Sequence, residues 1–265
     1  AGIFFDGACT TAWLEDDNWK HSQEYVQDTN ILENRFEDDG LGLEAVQTDF
    51  VLAGRDILVR RYKIKNTGTD KDGLWFVLFS STVSTEHHTA GTMFNFEADA
   101  LIHYRHGCYM AITSDREVSG FQLGSDAYGS ADRNELCGYD SIGMTNDAAL
   151  SWDLGKISGG QKAEINIFVC ASHTLKGVEN MAFEVGSPDV EEMTGNTRDY
   201  WLEYLKGARS FGSSGMAGRM EKLPDGREAV NRLYKRSLLL FKLMSDKKTG
   251  GLLASPEIDE GFTRC

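Results

Sequence analysis

The sequence predicts a mostly β protein whose first two-thirds form an antiparallel sandwich and whose remainder is helical. The first observation is a pair of strand-like runs, residues 56–65 and 74–83, separated by the turn-rich segment NTGTDKDG. The second of these runs is almost continuously apolar, as expected of a strand that is covered on both faces. The segment therefore predicts a strand, a turn and a second, buried strand.

Further strand-like runs follow the same pattern at regular spacing. Residues 30–49 form an alternating stretch with Leu41, Leu43 and Ala45 on one side, and residues 101–113 and 163–171 are each predicted to be a strand. The chain has 28 Gly but only 3 Pro, so turns are plentiful and strand breakers are few. Short strands separated by turns favour a sandwich over alternating βαβ units.

Composition limits the partners of the chain. Its 265 residues include 27 Lys and Arg against 41 Asp and Glu, a net charge of −14. That balance argues against nucleic acid and against an anionic membrane surface, and it is compatible with a neutral sugar. No apolar run approaches the roughly 20 residues of a membrane span. We therefore expect neither nucleic acid nor membrane as a partner.

The cysteines indicate a reducing compartment. There are 5, widely spaced and without a CxxC pair, which argues against a zinc site or a disulfide framework. Cys108 and Cys170 lie in apolar strand-like runs and are predicted to be buried thiols. The expected location is the cytoplasm.

The character of the sequence changes after Gly186. Ser187 is a predicted N-cap and Pro188 a first helical residue, followed by residues at helical spacing that include Trp201. Residues 211–218 (FGSSGMAG) indicate a flexible joint. A second helix then runs from about Val230 to Met244, ends before Thr249, Gly250 and Gly251, and is apolar nearly all round. Such a helix is typical of the interior of a larger body, so we expect the chain to stop inside an unfinished domain.

Four segments of the sequence resemble glycoside hydrolase family 15, the glucoamylase, glucodextranase and trehalase group. LYKRSLLLFKLMSDKKTGGLLASPEIDEG (233–261) is similar to the first barrel helix and first pocket loop of that family. DALIHYRHGCYMAI (99–112), residues 129–137 and WDLGKISGGQKAEINIFVCASHTL (152–175) resemble its bacterial N-terminal sandwich domain. The similar segments occur in the family's order over most of the chain.

The resemblance implies a galactose-mutarotase-like antiparallel supersandwich at 1–186, a connecting helix and linker at 187–222, and the first helix and loop of an α/α toroidal barrel at 223–265. It implies an inverting hydrolase that releases glucose from α-glucans or α-glucosides, with both catalytic glutamates in later barrel loops outside this chain. The implied partners are an oligosaccharide or polysaccharide and, within the protein, the rest of the barrel. Ser255 and Pro256 match the loop that runs toward the pocket. No cofactor or metal is implied, and the chain alone is expected to be inactive.

Other candidate sites have simpler interpretations. Glu86, His87, His88, His103 and His106 suggest a metal cluster, yet adjacent histidines on a strand point to opposite faces, which favours surface or hydrogen-bonded histidines. The acidic runs at 15–17 and 37–39 lack the calcium-loop pattern and are predicted to be solvated turns. Of the tryptophans, Trp75 and Trp201 are predicted to be core residues. Trp13 and Trp19 could form exposed sugar platforms, although packing at the sandwich edge is favoured.

Two alternatives to the glucoamylase interpretation stay open. The chain could be a non-catalytic β-sandwich that packs against other domains or binds carbohydrate. It could also belong to a phosphorylase with a related sandwich, against which the segment SPEIDEG argues weakly. The sequence does not choose among glucan, dextran and trehalose as substrate.

Overall fold

The computed structural model describes residues 1–82, 90–105, 107–124, 126–186, 189–207, 226–246 and 248–252. The chain divides into two compact units. The first comprises Ala1–Glu24 and Leu32–Met193, and the second comprises Tyr25–Ile31 and Thr194–Cys265. Each unit is described here by itself.

The first unit contains two antiparallel sheets. Its strands are β1 (Gly2–Phe5), β2 (Ala12–Trp13), β3 (Lys20–Tyr25), β4 (Leu32–Asp38), β5 (Leu43–Val51), β6 (Ile57–Asn66), β7 (Lys71–Ser81), β8 (Ala90–Asn95), β9 (Ala100–Arg105), β10 (Cys108–Ser114), β11 (Gly120–Leu123), β12 (Ile142–Gly143), β13 (Asp147–Ile157) and β14 (Lys162–Ser172). The five-stranded sheet has the order β11-β13-β7-β1-β2, and the nine-stranded sheet has the order β12-β8-β9-β10-β14-β6-β5-β4-β3. The prediction of a mostly antiparallel β architecture is confirmed.

Strand β14 joins two runs of sequential strands in the nine-stranded sheet. The run β3 to β6 lies on one side of it and the run β8 to β10 on the other. Ile57 of β6 pairs with Cys170 of β14, and Ile112 of β10 pairs with Val169. The last strand in the sequence therefore occupies the centre of the larger sheet.

The core lies between the two sheets, because alternate residues of each sheet point to the other. Phe76 and Trp152 of the five-stranded sheet belong to one buried cluster with Tyr62, Ile64 and Ile165 of the nine-stranded sheet. The Tyr62 and Phe76 ring centroids lie 4.5 Å apart across the interface. The two sheets thus share one apolar core, which supports the predicted sandwich.

Two short helices cover parts of the outer sheet faces. Helix α1 (Ala127–Asp132) places Ala127 and Ala131 against Val77 and Ala149 of the five-stranded sheet. Helix α2 (Leu175–Glu184), which the sequence analysis did not predict, contacts β10 and β14. Its N-terminus is capped by Thr174, whose side chain accepts a hydrogen bond from the Gly177 amide at 3.1 Å.

Two predicted strands are hairpins. Residues 30–49 divide into β4 and β5, and Leu41 lies in the turn between them, where its amide donates to Asp38 Oδ1 at 2.9 Å. Residues 101–113 divide between β9 and β10, which are separated by a turn at Gly107 with φ of 72°. In residues 101–113 the sequence is apolar on either side of the turn, so the hydrophobic pattern alone does not reveal the reversal.

Helix α3 (Val190–Lys206) begins later than predicted. Asp189 caps it, since its Oδ1 accepts a hydrogen bond from the Glu192 amide at 2.9 Å. The predicted cap and first helical residue, Ser187 and Pro188, lie outside the described residues. The predicted joint at 211–218 also lies outside them.

The second unit is organised around α4 (Gly226–Leu243). Leu239 is buried with Trp201 and Leu205, which confirms Trp201 as a core residue. Arg236 and Lys235 hold the segment Tyr25–Ile31: the first donates to the Thr29 carbonyl at 2.8 Å, and the second pairs with an Asp28 carboxylate oxygen at 2.6 Å. The helix ends at Leu243, earlier than predicted, and a turn with Gly250 at φ of 70° follows. None of the described helices is long and apolar enough to cross a membrane.

Candidate functional site

The inward face of the nine-stranded sheet changes from apolar to polar near its β3 edge. In register across three strands, Phe36, Ala45 and Ile64 form an apolar row that contributes to the core. Two residues further along each strand, on the same face, the next row is Asn34, Gln47 and Tyr62. One more step gives Leu32, Asp49 and Arg60.

These polar rows line a cleft of about 660 Å³, here called the edge cleft. His21 and Gln23 of β3 extend the polar surface, and the loop after β2 contributes Trp19 with three acidic residues, Glu15, Asp16 and Asp17. The volume falls within the roughly 300–1,000 Å³ of typical small-molecule pockets.

Hydrogen bonds fix several of the polar side chains in the cleft. Gln23 Nε2 donates to Asn34 Oδ1 at 2.7 Å, and Gln47 Nε2 donates to Asp49 Oδ2 at 2.7 Å. The same Asp49 oxygen lies 3.7 Å from Arg60 Nη2. Burial raises the pKa of the Asp49 carboxyl, and the charge of Arg60 and the bond from Gln47 oppose that rise. The arrangement is pre-organised because each amide is oriented by a neighbour.

Three buried polar atoms on cleft residues have no hydrogen-bond partner among the described residues. They are Nε1 of Trp19, Oδ1 of Asp49 and Nε of Arg60. The first and third are donors, and the second is an acceptor when Asp49 is ionised. Buried polar groups are normally paired, so three such atoms on one cleft point to a missing hydrogen-bonding partner.

Aromatic rings supply the apolar part of the cleft. The Phe36 ring stacks on His21 with centroids 4.8 Å apart and meets Trp19 edge to face at 6.4 Å. Tyr62 forms part of the wall, and burial raises the pKa of its phenol above the ordinary value. The edge cleft therefore offers binding groups of two kinds, aromatic surfaces and fixed polar atoms.

Neither predicted sugar platform is exposed. Trp13 is buried, stacks on Tyr128 with centroids 5.3 Å apart, and donates from Nε1 to Asp132 Oδ1 at 2.9 Å. Trp19 is also buried, which agrees with the favoured interpretation of packing at the sandwich edge, but its ring lines the edge cleft. Trp75 is only half-buried and meets Phe4 edge to face.

His103 is a buried, hydrogen-bonded histidine. Thr92 donates its hydroxyl proton to the Thr145 carbonyl at 2.7 Å, so at 3.0 Å it accepts from His103 Nδ1. His103 Nε2 then accepts from the Ser80 hydroxyl at 3.0 Å. Both ring nitrogens are occupied, and no group of three His, Cys, Asp or Glu within the described ranges could hold a metal ion. Glu86, His87, His88 and His106 lie outside those ranges.

The acidic run at 15–17 lies in a turn, whereas Glu37 and Asp38 of the run at 37–39 are the last residues of β4. Asp16 accepts a hydrogen bond from the Trp13 amide at 3.2 Å, and Asp39 pairs with Lys20 at 2.5 Å. Asp38 is buried, unlike its neighbours, because its carboxylate caps the β4–β5 turn at Leu41. The prediction of a turn is therefore confirmed for 15–17 but is wrong for Glu37 and Asp38, which end a strand.

One of the two predicted buried cysteines is exposed. Cys170 is buried, and burial raises the pKa of its thiol to about 12. Cys108 is exposed because it is the first residue of β10, directly after the turn at Gly107. Cys9, Cys108, Cys137 and Cys170 are all free thiols.

The fold of this chain is similar to part of a bacterial glucoamylase. No protein-family model matches the sequence. A Methanocaldococcus jannaschii protein named an uncharacterized glycosyl hydrolase is 25% identical over 98% of this chain, which spans 42% of that relative's length. A bacterial glucoamylase solved with acarbose aligns over 88% of this chain and 33% of its own, at a TM-score of 0.61 and 14% identity.

At this low sequence identity, the similarity to the glucoamylase concerns the fold alone. A family GH92 α-mannosidase from Bacteroides thetaiotaomicron aligns less well, at a TM-score of 0.43 over 66% of this chain, and supports no conclusion. The chain covers less than half of the length of the M. jannaschii relative and less than half of the length of the glucoamylase. The sequence-predicted pocket residues, Ser255 and Pro256, lie outside the described residues.

The sequence analysis missed the edge cleft. The sequence does contain a sign of it, because polar residues occupy inward positions of strands that are otherwise apolar on that face. These residues are Asn34, Gln47 and Asp49. Finding them required the strand register, because a one-residue change in register moves every side chain to the opposite face.

Proposed function

We propose that this chain is part of an inverting glycoside hydrolase of the glucoamylase type, family 15, that releases glucose from α-glucans or α-glucosides. The likeness of its fold to the bacterial glucoamylase, over 88% of the chain, carries the proposal. The name of the M. jannaschii relative and the ordered sequence resemblance support it. Localisation in the cytoplasm remains part of the proposal.

The proposal assigns the domains as predicted from the sequence. Residues 1–186 are a galactose-mutarotase-like supersandwich. Residues 187–222 are the helix and linker that connect it to residues 223–265, which begin an α/α toroidal barrel. Helix α4 supports the last assignment, because Leu233, Leu240, Phe241 and Leu243 are each at least half exposed in this structure. Further barrel helices would cover these side chains.

Inversion requires a general acid that protonates the glycosidic oxygen and a general base that activates water on the opposite face of the sugar. The two carboxyl groups stand roughly 6.5–9.5 Å apart to admit that water. We assign neither role to a residue of this chain and place both carboxyls in later barrel loops. Ser255 and Pro256 are proposed to support the wall of the sugar pocket.

The test compares the full-length protein that carries this chain with the 265-residue chain alone. Glucose release from maltose, isomaltose, trehalose and soluble starch is measured, and the anomer formed first is identified by proton NMR. We expect the full-length protein to release β-glucose and the isolated chain to release none above a buffer blank. Release of α-glucose contradicts inversion, and hydrolysis by the isolated chain contradicts the placement of the carboxyls.

The gene provides an independent test. If the proposal is correct, the sequence that continues past Cys265 encodes an aromatic-Trp-x-Arg-Asp cluster within a few tens of residues. Its absence contradicts membership of the family.

The second candidate function is that of a non-catalytic carbohydrate-binding module, and the edge cleft is the observation that favours it. In that case the full-length protein cleaves none of the four sugars, while the sandwich still binds one of them.

A further inference from the structure

We propose that the edge cleft is a carbohydrate-binding site that takes a neutral sugar, with Trp19, Asn34, Gln47, Asp49 and Arg60 as the polar contacts. The choice of glucose-based probes rests on the proposed function. The site itself rests on the geometry, burial and charge of the cleft.

The burial of polar side chains at core-facing positions is the first argument. Asn34 and Gln47 lie two residues along their strands from Phe36 and Ala45 and face the same side of the sheet. An apolar residue at either position would extend the core. Asn34 and Gln47 are only 5% and 9% exposed. Burying an amide is unfavourable unless hydrogen bonds compensate for its lost hydration, so two amides in one row indicate a recognition surface more than a packing surface.

The unpartnered atoms are the second argument, and they define the ligand's hydrogen-bonding character. Trp19 Nε1 and Arg60 Nε need acceptors, while Asp49 Oδ1 needs a donor. A hydroxyl group donates one hydrogen bond and accepts others, so neighbouring hydroxyls of one molecule could satisfy all three. A ligand with acceptors only, such as a carboxylate, would leave Asp49 unpaired.

The aromatic wall is the third argument. Trp19, Phe36, His21 and Tyr62 line the same cleft as the polar groups. Pockets that combine aromatic surface with a few fixed polar atoms are typical of small-molecule sites. A pyranose ring presents both a C–H face for the aromatic wall and a rim of hydroxyls for the polar atoms.

Charge selects a neutral ligand. The lining carries four carboxyl groups, on Glu15, Asp16, Asp17 and Asp49, and one guanidinium, on Arg60. This excess of negative charge repels phosphates and uronic acids. The described residues also offer no group of three ligands for a metal ion. A neutral sugar fits both findings.

Binding is tested on the 265-residue chain with glucose, maltotriose, isomaltotriose and soluble starch, and with glucose 6-phosphate as the charged control. Calorimetry gives the affinity, and the indole N–H signals in a ¹⁵N-labelled sample report on Trp19. The Trp19→Phe variant assigns its signal and removes the donor while keeping a smaller aromatic ring at that position. Gln47→Met removes the amide while preserving side-chain length. Thr48→Val is the matched control, because Thr48 lies between Gln47 and Asp49 but faces the other side of the sheet.

We expect at least one neutral sugar to bind and to shift the Trp19 indole signal. Trp19→Phe and Gln47→Met should each weaken binding about tenfold, the effect of losing one buried hydrogen bond, and Thr48→Val should not. The indole shift in the unmodified chain keeps the test decisive even if a variant folds poorly. Binding of monosaccharide and trisaccharide alike indicates a one-ring site, whereas binding of starch and trisaccharide alone indicates a site for a glucan chain; both support the proposal.

Three outcomes overturn it. The first is no binding by any neutral sugar, which leaves water as the occupant of the cleft. The second is binding that moves no Trp19 signal and is equally strong in all variants. The third is stronger binding of glucose 6-phosphate. Hydrolysis by the full-length protein is measured separately, so cleavage without cleft binding overturns this inference alone, and cleft binding without cleavage overturns only the proposed function.

Discussion

At the scale of single residues, His103 shows how the sandwich buries a titratable group. Its ring lies between the hydroxyls of Thr92 and Ser80. Because the Thr92 hydroxyl donates its proton to the Thr145 carbonyl, it accepts a hydrogen bond from His103 Nδ1. The only ring proton of the neutral form is therefore on Nδ1. Burial lowers the pKa of His103 from 6.5 to about 4, because a second ring proton would place a charge away from water, and the charge of Asp147 opposes this only in part.

This shift predicts acid sensitivity. The unfolded chain binds a proton at His103 below about pH 6.5, whereas the folded chain does so only near pH 4, so the free energy of unfolding rises with pH between these values. We expect His103 to account for a loss of about 3 kcal/mol between pH 7 and pH 4. Urea unfolding measured at several pH values tests this.

His103→Gln should be less stable at pH 7 but should lose less stability on acidification than the unmodified chain. His173→Gln is the control, since that histidine is exposed. Parallel pH profiles of the unmodified chain and His103→Gln would show that His103 does not titrate as proposed.

At the scale of elements, the sequence predicted which segments are strands better than it predicted where they turn. The apolar runs at 56–65 and 163–171 agree closely with β6 and β14. The runs at 30–49 and 101–113 each contain a turn that the sequence analysis did not place, and in 101–113 the second strand repeats the apolar character of the first. The edge cleft was hidden for a different reason: the direction in which Asn34 and Gln47 face depends on the register of β4, β5 and β6.

Helix α4 provides a prediction at this scale. Leu239 is buried, whereas its neighbours Leu240 and Phe241 are about half exposed. We expect Leu240→Ser with Phe241→Ser to improve recovery of the 265-residue chain in the supernatant and to change its melting temperature little, because few contacts are lost. Leu239→Ser should destabilise the second unit by roughly 2–5 kcal/mol, the usual cost of truncating a large core residue.

Thermal melting followed by circular dichroism at 222 nm, with a sedimentation assay for solubility, distinguishes the two substitutions. A large drop in melting temperature for the double variant would mean that the exposed face of α4 is already part of a finished core. The proposed barrel start at 223–265 would then be wrong.

At the scale of the whole molecule, the two sheets and their shared core lie entirely in the first unit, apart from the end of β3. We therefore expect the segment 1–193 to fold without the rest of the chain and to melt in one cooperative transition. Its far-ultraviolet spectrum should keep the β signal of the full chain, and calorimetry should give equal calorimetric and van't Hoff enthalpies. A segment 1–160, which lacks β14, is the control and should not fold. Loss of the β signal in 1–193 would show that the sandwich depends on the second unit.

The central place of β14 also has a consequence for synthesis. The amino-terminal strands leave the ribosome first, so β3 to β6 and β8 to β10 are made before the strand that joins them exists. Until then β6 and β10 each present an unpaired backbone edge flanked by apolar side chains, which is a template for pairing with other chains. Pairing Ile57 with Cys170 also requires the closure of a long loop, which is slow. The nascent chain is thus most vulnerable to aggregation during one interval of translation, which ends when Ser172 has emerged.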